Sequence, residues 1–98
     1  MKLNEIVFID SLPTLDLHGY DRDYARIKIN EFINDNYVMG NRNVVIIHGI
    51  GNGTIRMVTQ DTLRTNKKVL DFKIFINNIG CTIVEIDHKQ SIDNKIKR

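Results

Sequence analysis

A chain of 98 residues, 42% apolar and 27% charged with no tryptophan, has room for one domain and one core. A domain of this size buries roughly 60–68% of its unfolded surface, which excludes a two-lobed enzyme and any large cofactor fold. Fourteen Lys and Arg against twelve Asp and Glu leave a formal charge of +2, a weaker footprint than a dedicated DNA-binding module carries.

No apolar run approaches the ~20 residues of a membrane-spanning helix. The segment Ile6 to Ile9 is too short for the core of a signal peptide. The single cysteine, Cys81, excludes an internal disulfide and fits a reducing compartment. The expectation is a soluble cytoplasmic monomer with no membrane partner.

In chain order, residues 1–13 form an N-terminal extension closed by the single proline, Pro13. Thr14 to Leu17 reads as a short strand ended by Gly19, with Leu15 and Leu17 on one face and Asp16 and His18 on the other. Asp21 opens a helix reaching about Tyr37, whose apolar stripe is Ala25, Ile29, Phe32, Ile33 and Tyr37, with Ile27 on the opposite side. Val44 to Ile47 is a β-branched run suited to a strand covered on both faces. His48-Gly-Ile-Gly-Asn-Gly follows and leads into a second helix from about Thr54 to Arg64, with Ile55, Val58, Thr62 and Leu63 inward. Val69 to Ile76 is a third strand, Asn77, Asn78 and Gly80 supply a turn, and Cys81 to Ile86 is a fourth. Residues 88–98 are a polar tail in which His88 faces solvent.

The order βαβαββ implies an α/β two-layer sandwich. Right-handed crossovers make the first three strands parallel, and the last two form a hairpin. The sheet has four strands in mixed orientation, with both helices on one face and the other face partly open. The carboxyl ends of the first two strands then share an edge, where sites of open α/β sheets form. Each ends in His-Gly.

Two segments could carry chemistry. In Leu15-Asp16-Leu17-His18-Gly19, alternation sets a carboxylate beside an imidazole. An Asp near a His fixes its tautomer and favours its charged form, as a general acid or base requires. The alternative is a solvated polar strand face. In His48-Gly49-Ile50-Gly51-Asn52-Gly53, alternate glycines allow positive φ and close approach of a ligand. The helix that follows presents unpaired N–H groups to an anion. The alternative is a tight strand-to-helix turn.

His48 reads equally as a phosphate contact or as a donor to a buried carbonyl. A dinucleotide loop is rejected, because the spacing is G-x-G-x-G and Asp71 falls early in its strand rather than at its end. Cys81 reads as a small core residue. No residues have zinc-ligand spacing, so no metal site is expected.

Taken together, the LDLHG strand, the helix, VVIIHGIGNGTIR and the TIVEI strand resemble the small MutS-related (Smr) domain over Thr14 to Ile86, within a domain of residues 14–87. That family resembles the C-terminal domain of translation initiation factor 3, and many members are nucleases that nick DNA or cleave messenger RNA on stalled or collided ribosomes. The resemblance implies Asp16 and His18 as catalytic residues, and His48, Gly49, Gly51, Gly53 and Arg56 as the nucleic-acid or phosphate-binding set. Two departures stand out: Ile50 replaces the usual basic residue after the first glycine, and the Gly-rich turn is reduced to Asn77-Asn78-Ile79-Gly80, a change expected to touch only the hairpin.

The expectation is an endonuclease acting on RNA in preference to DNA, with nucleic acid and the ribosome as partners. No cofactor is expected for RNA, whereas a DNA nick would need an activated water, which Mg or Mn could supply. Two rival readings remain, a non-catalytic nucleic-acid- or ribosome-binding module and an oligomerisation domain using Ile27 and the Ile6–Ile9 segment.

Overall fold

The computed structural model describes residues 9–88. The elements are β1 (Thr14–Asp16), α1 (Arg22–Met39), β2 (Asn43–Ile47), α2 (Thr54–Thr65), β3 (Val69–Phe75) and β4 (Asn78–Ile86). They form one four-stranded sheet in the order β1-β2-β4-β3. β1 and β2 pair in parallel, and β4 runs antiparallel to both of its neighbours. The expected βαβαββ sandwich is the observed one. β4 takes the centre because the hairpin folds it back between β2 and β3.

Each helix starts where backbone chemistry allows. Asp21 caps α1 by accepting the Tyr24 amide at 2.8 Å, and Gly40 ends it at φ 82°, the left-handed conformation that glycine adopts without a Cβ penalty. The inward stripe of α1 is Ala25, Ile29, Ile33 and Asn36. Asn36 is a polar member that the apolar count passed over. It is buried but satisfied, donating to the Phe32 carbonyl and accepting from Asn41, both at 2.8 Å. Ile27 is exposed, as its position opposite the stripe implied.

The main core lies between the helices and one sheet face. Leu17, Ala25, Ile29, Ile33, Val58 and Leu63 pack there on Val44, Ile46, Val84 and Ile86. The other face carries Val45, Phe75, Cys81 and Ile83, against which Ile9, Leu12 and Ile47 pack. Pro13 ties this segment down, its carbonyl accepting the Val45 amide at 2.9 Å. The expected open face is therefore partly covered by residues just before β1.

The hairpin and the end of the domain depart from expectation. The connection after β3 is the pair Ile76–Asn77, and Asn78–Gly80 already belong to β4 across a register shift. His88, expected to face solvent, is half-buried. It stacks on Tyr37 with centroids 5.2 Å apart and its Nε2–H donates to the Asn41 carbonyl at 2.8 Å. The remainder of the polar tail, and Ile6 to Phe8 of the N-terminal segment, lie outside the described residues.

Candidate active site

The parallel register sets Asp16 opposite Ile47, and the Leu17 amide donates to the Ile47 carbonyl at 2.9 Å. Both His-Gly pairs therefore leave the sheet at one edge. The two histidines are held quite differently.

β1 ends at Asp16, one residue before the expected boundary. His18 lies in a turn closed by the Tyr20 amide on the Leu17 carbonyl at 3.1 Å, with Gly19 at φ 80°, as a type II turn requires at its third residue. Strand alternation therefore no longer sets the direction of His18. The Asp16 carboxylate accepts the main-chain N–H of His18 at 2.9 Å, a local bond typical of Asp at turns. Among the described residues the exposed His18 imidazole has no hydrogen-bond partner. In this structure the Asp16 carboxylate holds the backbone that carries the ring, not the ring itself.

Asp16 shares a cross-strand row with Ile47 and Cys81, on the sheet face away from the helices. Burial first, and the Asp16 charge second, raise the pKa of the Cys81 thiol. A buried thiol kept protonated is a poor nucleophile, in keeping with a core role.

His48 follows β2 on the helix side of the sheet. Its Nδ1 lies 2.9 Å from the Gly49 carbonyl and its Nε2 2.8 Å from the Thr82 hydroxyl. Burial, the largest influence, and the nearby Arg56 charge lower its pKa, while the bond to Gly49 opposes them. The main-chain amides of His48 and Gly49 both donate to the Gly80 carbonyl at 2.9 Å.

Beyond it, Gly49, Gly51 and Gly53 have φ of 77°, 28° and 86°, so the alternate glycines serve a real conformational need. Asn52 Oδ1 accepts the Thr54 amide at 3.0 Å, and the Met57 amide returns to the Gly53 carbonyl. The Ile55 and Arg56 amides are left without a partner among the described residues, as expected at a helix start. No acidic residue lies in that first turn. Arg56 is half-buried and folds back over Gly53, with Nη2 3.5 Å from where a Cβ on that glycine would stand. Ile50 is 59% exposed. Among the described residues, no cluster of three or more His, Cys, Asp or Glu could hold a metal ion.

Three features escaped the sequence reading. Gly80, assigned to a turn, abuts the loop: a Cβ there would lie 3.3 Å from Asn78 Oδ1 and 3.4 Å from Gly49 Cα. Thr82 is fully buried against His48; only its register with Ile46 reveals it. Finally, a groove of about 370 Å³ adjoins the loop, lined among others by Arg22, Arg26, Asn52, Thr54, Met57 and Asp61. Arg26 is paired with Asp23 at 3.2 Å, while Arg22 has no ion-pair partner among the described residues. The early-helix position of these arginines carries no signal until α1 and α2 are packed together.

The chain is 36% identical over 77 residues to endonuclease MutS2 of Caldanaerobacter subterraneus subsp. tengcongensis, covering 76% of this chain and 10% of that protein. It is 30% identical over 80 residues to endonuclease MutS2 of Alkaliphilus metalliredigens, covering 79% of this chain and 10% of that protein. It thus spans about a tenth of the length of these relatives. In fold it is similar to the Smr domain of Thermus thermophilus MutS2, with a TM-score of 0.75 and 23% identity over 78% of this chain and 99% of that one. It is also similar to YdaL, a stand-alone small MutS-related protein from Escherichia coli, with a TM-score of 0.69 and 24% identity over 74% of this chain and 63% of that one. The sequence profile of the Smr domain matches residues 15–87, and with the LDLH strand end, the HGIGNG loop and the sheet order in place, this chain belongs to the Smr domain family.

Proposed function

We propose that this domain is an endonuclease that binds a single strand of nucleic acid, RNA in preference to DNA, and cuts it at the edge where β1 and β2 end. The observation that carries the reading is the pairing of Asp16 with Ile47. It brings an exposed imidazole, without a hydrogen-bond partner among the described residues, to the edge where the glycine loop opens a helix. The phosphate would rest on the free amides of Ile55 and Arg56 and on the Arg56 guanidinium. His18 would take the proton of the ribose 2′-hydroxyl as the 2′-oxygen bonds to phosphorus. The P–O5′ bond then breaks, the 5′-oxygen takes a proton from water, the hydroxide so formed takes the proton held on His18, and a cyclic phosphate remains.

RNA supplies its own nucleophile in this route. On DNA the attacking group is water, which a divalent ion would activate, and Asp16 is the carboxylate at that edge. The groove carrying Arg22 and Arg26 gives the flanking strand a place to lie. The similarity to endonuclease MutS2 proteins supports the reading. A ribosome as the presenting partner is part of the proposal: the domain is small, and its net charge of +2 provides little independent grip.

Positioned acid–base help contributes ~10²–10⁴ in rate. Labelled RNA and DNA are incubated with the pure protein, with EDTA or with Mg or Mn, beside a His18→Ala variant. The expected result is metal-independent RNA cleavage that falls at least ~10²-fold in the variant with the fold intact. Equal cleavage by both proteins sinks the assignment of His18. A second reading, a binding module without chemistry, is favoured by the exposed Ile50 in place of a cation. Salt-sensitive binding with a slope near −0.7 per phosphate contact, and no cleavage under any of these conditions, selects it.

A further inference from the structure

We propose that His48 is a positioning residue rather than a phosphate ligand, and that Thr82 and Gly80 of β4 hold the glycine loop in shape through it. The inference rests on the reading above, in which that loop receives a phosphate.

A carbonyl oxygen only accepts hydrogen bonds. The 2.9 Å contact between Nδ1 and the Gly49 carbonyl therefore places the proton on Nδ1. In the neutral ring Nε2 is then an acceptor, and the buried Thr82 hydroxyl, 2.8 Å away, must donate to it. Both ring nitrogens are used. Burial and the Arg56 charge favour the neutral form, so the ring has neither a free donor nor a charge to offer an anion.

The main chain repeats the pattern. The Gly80 carbonyl takes the amides of both His48 and Gly49, which removes them from any phosphate cradle and leaves the amides at the start of α2. Gly80 lies against the loop, where an added Cβ would stand in ordinary contact with Gly49 Cα at 3.4 Å, so it is the Gly80 carbonyl that fixes the loop. The loop thus hangs from the central strand at one carbonyl and one hydroxyl. Its shape is a property of β4, some 30 residues away in sequence.

The test uses Thr82→Val, which removes the hydroxyl, and Thr82→Ser, which keeps it. Ring ¹⁵N NMR should find the Nδ1–H tautomer in wild type and in Thr82→Ser. In Thr82→Val, amide exchange at His48 and Gly49 should quicken, and affinity for a labelled single-stranded RNA oligonucleotide should fall, each roughly three- to tenfold, as the loss of one hydrogen bond implies. Thr82→Ser should restore both.

An Nε2–H tautomer in wild type overturns the proposal. So does a Thr82→Val variant with wild-type exchange and affinity, or one whose affinity per folded molecule is unchanged while its urea midpoint drops. If His48→Gln weakens RNA binding with loop exchange unaltered, the ring is a ligand and the proposal fails. If wild type binds no RNA while the tautomer and exchange results hold, the phosphate reading falls and the mooring of the loop stands.

Discussion

Replacing Gly53 by Ala measures what the backbone of the glycine loop costs. Gly53 precedes α2 at φ 86°, ψ −3°. A Cβ there would find Arg56 Nη2 at 3.5 Å, ordinary contact with the far end of a flexible side chain. Steric clash is therefore absent, and the penalty is that of an L-residue in the left-handed region, roughly 1–2 kcal/mol. Ala also restricts the unfolded chain, which offsets roughly 0.4–1 kcal/mol. The net loss is about 0–1.6 kcal/mol, and ~1 kcal/mol moves the melting temperature of a domain this size by ~4–8 °C. Urea and thermal melts of wild type, Gly53→Ala and Gly53→Asn provide the assay. Asn tolerates this conformation better than Ala and should recover part of the loss. A Gly53→Ala protein more stable than wild type, or a Gly53→Asn protein less stable than Gly53→Ala, would refute the claim that the positive φ is what requires glycine there.

Asp16→Asn keeps an oxygen that can accept the His18 amide and should retain stability, whereas Asp16→Ala should lose about 1 kcal/mol; if the Asn variant also keeps wild-type cleavage of RNA, the carboxylate charge has no part in the chemistry. Ile33→Ala removes a fully buried side chain of α1 and should cost roughly 2–5 kcal/mol, visible as a lower urea midpoint; a loss below ~1 kcal/mol would contradict the packing described for the main core. Because the folded-state pKa of His48 lies below its ordinary 6.5, the unfolded chain binds the extra proton first. Stability should therefore fall as pH drops below 6.5 toward the folded value, then level off with respect to this group. Urea midpoints between pH 7 and 5 should slope less in His48→Gln, and identical slopes would argue against a half-buried neutral ring.

The periodicity of α1, the β-branched run of β2 and the two His-Gly strand ends were legible because each depends on residues near one another in sequence. Apolar spacing, Asp21 before a helix and glycines before another determine local structure directly. From them follow the βαβαββ order, the two-layer α/β class and the shared edge of the first two strands. The Asp16 and His18 pair was legible as composition and misread as geometry: one turn, closed by Tyr20 on Leu17, ends the alternation on which the reading depended.

What only the tertiary structure decided is how that edge is held. Thr82 and Gly80 reach the His48 loop because β4 lies between β2 and β3. Strand order is set by long-range pairing, which leaves no local periodicity to read. The sequence by itself determined that a small α/β domain would present His18 and a glycine loop together. A local turn made Asp16 serve the backbone, whereas packing determined that His48 is already fully bonded, because its partner Thr82 depends on which strands become neighbours.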